Sequence, residues 1–355
     1  MSYTIVPLTE DTREAYNLFL LHRSDTLLYA SLPFKQFLER LLVCESTYFL
    51  ALDKPDRIVG VLPLMVKDTG IYGKIANSLP FYGSNGGIIV DHSKGEEEGD
   101  QIRQALFDAF EAHVKAQDCV ASTIITSPFE NHQPWYEQHS HYDFVDARIG
   151  QVTLLPPCED NAANRLLQIF EDPRPRNVRK AIKSGIEWYV SHQREDIDFL
   201  RKTHQQNIRA IGGLPKEDFF FSLFEKVFEP SNYALYVAVR KGERIAALLL
   251  FYFNKTVEYY VPAIVEEYRT LQPLSLLIFK AMEDALRKGY RYWNWGGTWM
   301  SQKSLYDFKK RWGSTDFVYH YYTQLYSRDV LDYSGEEVRE RYPFFYTVPF
   351  RELRR

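Results

Sequence analysis

Disulfide scaffolding is missing from this chain. Its three cysteines, Cys44, Cys119 and Cys158, are widely spaced and form no CxxC pair. An odd, scattered set supports neither a disulfide framework nor a zinc site, and a reducing cytoplasm is the expected location. Long apolar runs are missing as well: no stretch approaches the roughly 18 residues that span a bilayer, which leaves only peripheral membrane association open. The opening MSYTIVPLTEDTREAYNLFLL carries acids and Arg13 within it, not the basic and then apolar order of a secretory signal. Excess positive charge is lacking. A formal net charge of −4 gives no general hold on nucleic acid, so DNA is not expected as a partner and any phosphate grip must be local. There is no G-x-S-x-G elbow, HExxH or P-loop, and the nine histidines lack ligand spacing. His139 and His141, the closest pair, sit in the polar HSHYD loop and read as solvent-exposed or core-edge residues. Covalent catalysis, metal chemistry and a bound cofactor are therefore not expected.

What is present is a folded chain with two cores. Apolar residues make up 45% and charged residues 25%, and 355 residues suit two domains. Aromatics reach 15%, which favours strands and ring-lined clefts.

The chain also repeats itself. YFLALDKPDRIVGVLP (48–63) and YALYVAVRKGERIAALL (233–249) each read as strand, polar turn, Arg-Ile and second strand, with Arg57-Ile58 matching Arg244-Ile245. A helical stretch precedes each hairpin, Pro33 to Leu42 and Lys216 to Phe228. An amphipathic helix follows each, Glu98 to Ala116 and Pro273 to Lys288, and then a short strand, Ala121 to Thr126 and Tyr292 to Trp295. Two strands, a crossover helix and a returning strand predict an α/β unit with a mixed sheet. The join lies within 151–175, where Pro173 and Pro175 argue against a regular helix, although Asn161 to Phe170 can form one. Domains of 1–155 and 156–355 are expected, with the aromatic tail after Asp329 packing back onto the body.

Two segments could carry chemistry. The first, Arg174 to Lys183, is rich in cations; if it is helical, Arg176, Arg179 and Lys183 share one face that can grip phosphate. A solvated surface helix is the plain alternative. The second, YRYWNWGGTWMSQKSLYDFKKRW (290–312), runs a strand through Asn294 into Gly296-Gly297, where the backbone can turn or approach a ligand closely. A helix from Leu305 to Trp312 follows, with Phe308 and Trp312 on one face and Lys309 beside them. Lysines on helices are ordinarily exposed. At the mouth of a cleft, however, Lys309 could stabilise a developing oxyanion.

At these two segments the sequence resembles the FemABX transferases. RNVRKAIKSGIEWYV (176–190) is similar to the Arg-rich helix and Lys-x-Gly strand that open that family's second domain. NWGGTW and LYDFKKRWG are similar to its glycine turn and Phe-Lys-x-x-Trp/Phe-Gly motif, here Phe308, Lys309, Trp312 and Gly313. The resemblance implies two tandem GNAT-like acyltransferase domains and transfer of an aminoacyl group from aminoacyl-tRNA to an amine of a peptidoglycan precursor. It implies Lys309 as the catalytic cation, Phe308 as a wall of the site, and Arg176 and Arg179 as ligands for a diphosphate. Tyr259 and Tyr260, on a strand before the cleft, are further candidates for substrate contacts.

Two departures matter. Single-domain GNAT enzymes cradle the coenzyme A pyrophosphate in a Q/R-x-x-G-x-G/A loop, whereas this chain reads Tyr268-Arg-Thr-Leu-Gln-Pro-Leu274 there, without glycine and with a proline that removes an amide. It also lacks the charged heptad hairpin that some family members use as a tRNA-binding arm, although others manage without one. The leading expectation is an acyltransferase acting on a phosphate-bearing glycan or peptide precursor. Two alternatives stay open: an acyl-CoA-dependent N-acetyltransferase of polysaccharide biosynthesis, and a non-catalytic glycan- or nucleotide-binding module.

Overall fold

The computed structural model describes residues 3–70, 72–81, 84–130, 132–157 and 161–354, so Cys158 lies outside the described residues. In chain order the strands and helices are β1 (Thr4–Pro7), α1 (Arg13–His22), α2 (Leu32–Leu42), β2 (Glu45–Lys54), β3 (Arg57–Asp68), β4 (Lys74–Asn77), β5 (Ile89–Val90), α3 (Glu96–Ala116), β6 (Cys119–Ile125), α4 (Gln133–His139) and β7 (Phe144–Leu154). They continue with α5 (Ala162–Ile169), α6 (Arg174–Lys183), β8 (Glu187–Ser191), α7 (Arg194–Ala210), α8 (Asp218–Val227), β9 (Tyr233–Arg240), β10 (Glu243–Phe253), β11 (Thr256–Ile264), α9 (Pro273–Arg287), β12 (Tyr292–Thr298), α10 (Lys303–Lys310), β13 (Ser314–Leu325) and α11 (Gly335–Arg341). No helix among the described residues is long and apolar enough to cross a membrane.

The chain divides into two compact units, one of Met1–Ile149 with Val318–Arg355 and one of Gly150–Phe317. The division differs from the expected 1–155 and 156–355, because the tail returns to the first unit. There β13 pairs with β6, from Tyr321 opposite Ile125 to Leu325 opposite Ala121. Phe344 packs on Phe81, and the backbone N–H of Tyr346 donates to the side chain of Asn77.

Within the first unit the strand order is β1-β2-β3-β4-β6-β13, with β5 on β3. All registered pairs are antiparallel except β4 with β6. The expected hairpin is β2 and β3, with Tyr48 opposite Pro63. Its inner side chains, among them Phe49, Ala51, Leu62 and Leu64, meet the buried stripe of α3, Ile102, Leu106, Phe110 and Val114. That 3.6-residue stripe is why the segment folds as one long helix.

Within the second unit the order is β7-β12-β11-β10-β9-β8. The hairpin β9/β10 turns through Lys241 and Gly242, both at positive φ, the backbone of a tight hairpin turn. Helix α9 buries Leu276, Leu277, Phe279 and Met282 against Leu248 and Leu250 of β10 and Trp293 of β12. Two expectations change. Helix α6 begins at Arg174, because Pro175 falls in the first turn, where a missing N–H costs no hydrogen bond. And β12 does not stop at Trp295: it extends through both glycines to Thr298, with Gly296 at φ 71.

Candidate active site

The site grows from the place where two parallel strands separate. Strands β11 and β12 pair from Thr256/Tyr292 only as far as Glu258/Asn294, although β11 runs on to Ile264 and β12 to Thr298. A cleft at the carboxyl end of diverging parallel strands is the usual ligand position in open α/β sheets. Asn294, 1% exposed, holds the base of the fork: its amide donates to Glu258 Oε2 at 2.8 Å and its Oδ1 accepts from the Gly296 N–H at 2.9 Å. Asn294, with Gly296 and Gly297, was a candidate for substrate binding from its place at the strand's end before the glycine turn. Both ends of its side chain are occupied by the protein, and it sets the backbone that substrate would meet.

Beyond the fork, Gly296 and Gly297 present carbonyls to Lys309. Its Nζ donates to Gly296 O at 3.3 Å, Gly297 O at 3.0 Å and Thr298 Oγ1 at 2.8 Å. The Thr298 hydroxyl donates onward to Gln151 Oε1, and the Gln151 amide donates to Tyr306 O, which ties β7, β12 and α10 together. Lys309 is not the exposed helical lysine that residue type suggests; it is 4% exposed. Among the described residues it has no carboxylate within ion-pair distance. Burial disfavours its charge and lowers its pKa from the ordinary 10.5 to about 7. A buried cation poised at neutrality is what acid–base or oxyanion chemistry requires.

Next to it lies a cation that the sequence reading did not single out. Arg174, at the start of α6, is 8% exposed and stacks its guanidinium 4.3 Å from the Phe308 ring centroid and 5.3 Å from that of Trp312. Its Nη2 donates to Phe308 O at 3.1 Å. Burial, with Arg311 nearby, lowers its pKa to about 10, and Tyr259 is close enough to oppose that shift. The only hint in the sequence was its place at a helix start beside Pro175. Phe308 is thus half-buried, under the Arg174 guanidinium and beside Trp312. Trp295 seals the floor: its Nε1 donates to Thr153 Oγ1, and its ring stacks on Trp312 at 5.9 Å.

The two tyrosines part company. Tyr259 packs on Trp295 at 4.9 Å, facing the site. Tyr260 is the extra residue of a bulge, since Leu249 pairs with Val261 and Leu250 with Tyr259. Its ring stacks on Phe220 and meets Phe251 edge-on at 4.9 Å, on the other side of the sheet. These ring contacts put the two side chains on opposite faces, so one cleft cannot take both. Arg176, Arg179 and Lys183 lie exposed along α6, and among the described residues neither they nor Lys180 has a carboxylate within ion-pair distance. They form an unneutralised cationic strip on the face of α6 opposite the buried Arg174, Val178 and Ala181.

The start of α9 is poor in free amides. Pro273 has no N–H, and the Gln272 carbonyl accepts those of Ser275 and Leu276.

Comparisons with known proteins bear on the fold. Residues 175–310 match the model of the acetyltransferase (GNAT) domain. No curated protein matches the chain. Among solved structures, FemX aligns with a TM-score of 0.71 at 14% identity, covering 89% of this chain and 96% of FemX. A tandem GNAT protein from the clavulanic acid biosynthesis pathway aligns at 0.54 and 13% identity, over 91% of this chain and 98% of that one. The C-terminal domain of a putative lysylphosphatidylglycerol synthetase from Agrobacterium fabrum aligns at 0.52 and 14% identity, over 88% and 92%. The chain therefore has the GNAT acyltransferase fold, as two tandem GNAT-like domains. Within that class its fold is FemX-like.

Proposed function

We propose that this protein transfers an aminoacyl or acyl group to an amine of a cell-wall or glycan precursor, with the transfer chemistry in the second unit. The observation that carries this reading is Lys309: a buried ammonium that has no counter-ion among the described residues, held by the backbone beyond the β11/β12 fork. The acceptor amine attacks the donor's carbonyl carbon, a C–N bond forms, and negative charge collects on the carbonyl oxygen. The C–O bond to the leaving group then breaks, and the proton lost by the amine leaves with that oxygen. A cation in a poorly hydrated site stabilises the intermediate charge far more than it would in water. The two glycine carbonyls and Thr298 fix its position, so little reorganisation is needed during the reaction.

An activated ester such as aminoacyl-tRNA suits the site better than coenzyme A. Pyrophosphate needs open amides at a helix start, and α9 offers a proline and two amides already taken. The cationic strip on α6 suits phosphates of the donor or of the precursor. The cell-wall acceptor rests on the resemblance of RNVRK and FKKRWG to FemABX sequences. Incubation with pooled aminoacyl-tRNAs, acetyl-CoA and cell-wall precursors, read by mass, is expected to show an aminoacyl increment on the precursor. An acetyl increment would shift the reading to an N-acetyltransferase, and no increment to a binding module.

Two further results are expected. Because the ammonium is the active form and its pKa lies at about 7, its charged fraction falls as pH rises through neutrality. The ratio of wild-type to Lys309→Met kcat/KM should therefore fall between about pH 6 and about pH 8; a rise would make Lys309 a general base. Replacing Arg176, Arg179 and Lys183 together with alanine should raise KM about tenfold, steepest at low salt, with kcat within about twofold. An unchanged KM would remove the strip from substrate binding.

A further inference from the structure

The first unit carries a cavity of its own, of about 640 Å³, bounded by the start of α3, by α4 and by the turn before it. Glu130 lines it with a side chain 8% exposed, and among the described residues neither of its carboxyl oxygens has a hydrogen-bond partner. The arginines nearby already hold carboxylates. Arg103 donates twice to Asp100, at 3.1 and 2.6 Å, and its Nη1 lies 3.2 Å from His132 Nε2. Arg23 forms two hydrogen bonds with Asp25, at 3.2 and 3.0 Å. His132 approaches Glu130 only to 3.7 Å, and burial with the two arginines lowers its pKa to about 4, so it supplies no cation.

A buried carboxyl facing a cavity without a partner is costly unless a ligand completes it. We propose that this cavity binds a small organic ammonium, whose N–H groups donate to Glu130. The class follows from bookkeeping of charge: the guanidinium groups already hold their own carboxylates, and Glu130 is the group left requiring donors.

The titratable groups facing Glu130 are Arg23 and Asp25 after α1, Arg103 on α3, and His132 and Tyr136 at α4. Burial raises the pKa of Glu130 to about 8, so at neutral pH it is largely protonated. An arriving ammonium favours the carboxylate, and binding then expels a proton.

The test is calorimetric titration of the full chain with methylammonium, 1,5-diaminopentane and glucosamine, each in two buffers of different ionisation enthalpy, with 1,5-pentanediol as the uncharged control. Saturable binding of at least one amine is expected, with proton release and with affinity reduced about tenfold or more in Glu130→Gln. The isosteric Glu130→Gln chain should keep the wild-type circular dichroism spectrum. If it does not, proton release by the wild type, compared between the two buffers, decides the matter. No saturable heat from any amine, equal binding of the diol, or binding without proton release overturns the proposal. Transfer activity is not read, so the outcome is independent of Lys309.

Discussion

Replacing Lys309 with methionine is expected to lower kcat by about 10²- to 10³-fold, the loss usual when one preorganised oxyanion stabiliser is removed. Methionine fills nearly the same volume without the charge, so the buried site does not collapse. Two structural effects oppose each other. The substitution removes an unpaired buried cation, which costs stability in the wild type, and it deprives the carbonyls of Gly296 and Gly297 of a donor. The circular dichroism spectrum should therefore be retained while single-turnover transfer falls. Thr298→Val separates charge from placement. It removes one acceptor of the ammonium, at 2.8 Å, so the pKa of Lys309 should drop further and the kcat/KM profile should move to lower pH. A wild-type rate in Lys309→Met would end the mechanism, whatever the fold.

Much of the architecture was readable because it is local. Short apolar runs on either side of a polar turn specify β2/β3 and β9/β10, and a 3.6-residue apolar stripe specifies α3 and α9, all within a window of adjacent residues. The tail was harder. Its aromatics indicated packing, yet the pairing of Tyr321 with Ile125 joins residues far apart in sequence, and no local pattern encodes that partner. The site divides in the same way. FKKRWG placed Phe308 and Lys309 on one short helix, but the burial of Lys309 comes from β12 continuing through Gly296, whose positive φ turns carbonyls toward the amine. Residue type alone predicts the opposite. Among the cations of 174–183 the period sets Arg174 apart from the face shared by Arg176, Arg179 and Lys183, on the side of Val178 and Ala181, but no local pattern says that this side meets Phe308 and Trp312. Tyr259 and Tyr260 were readable in principle, since a strand sends neighbours to opposite faces.

The second large effect concerns Gly313, the last residue of the FKKRWG segment. It sits at φ 74, and a Cβ built there would lie 2.6 Å from the carbonyl oxygen of Ile169, a backbone atom that cannot swing aside. Gly289 is its natural control: it has φ 79, but a Cβ there would meet nothing within 4 Å. Both alanine variants pay for left-handed backbone, about 1 kcal/mol. Only Gly313→Ala must also separate two backbone segments, so its loss should reach about 3 kcal/mol or more, against about 1 for Gly289→Ala. In thermal unfolding of the Gly150–Phe317 unit this corresponds to a drop of about 6–12 °C against about 2–4 °C. Activity should fall with it. Gly313 N–H donates to Lys310 O and Trp312 N–H to Lys309 O, so a shift at residue 313 is passed to the end of α10 that carries Lys309. Equal stability losses in the two variants would show that Ile169 yields freely. The close approach would then be incidental to where Lys309 is held.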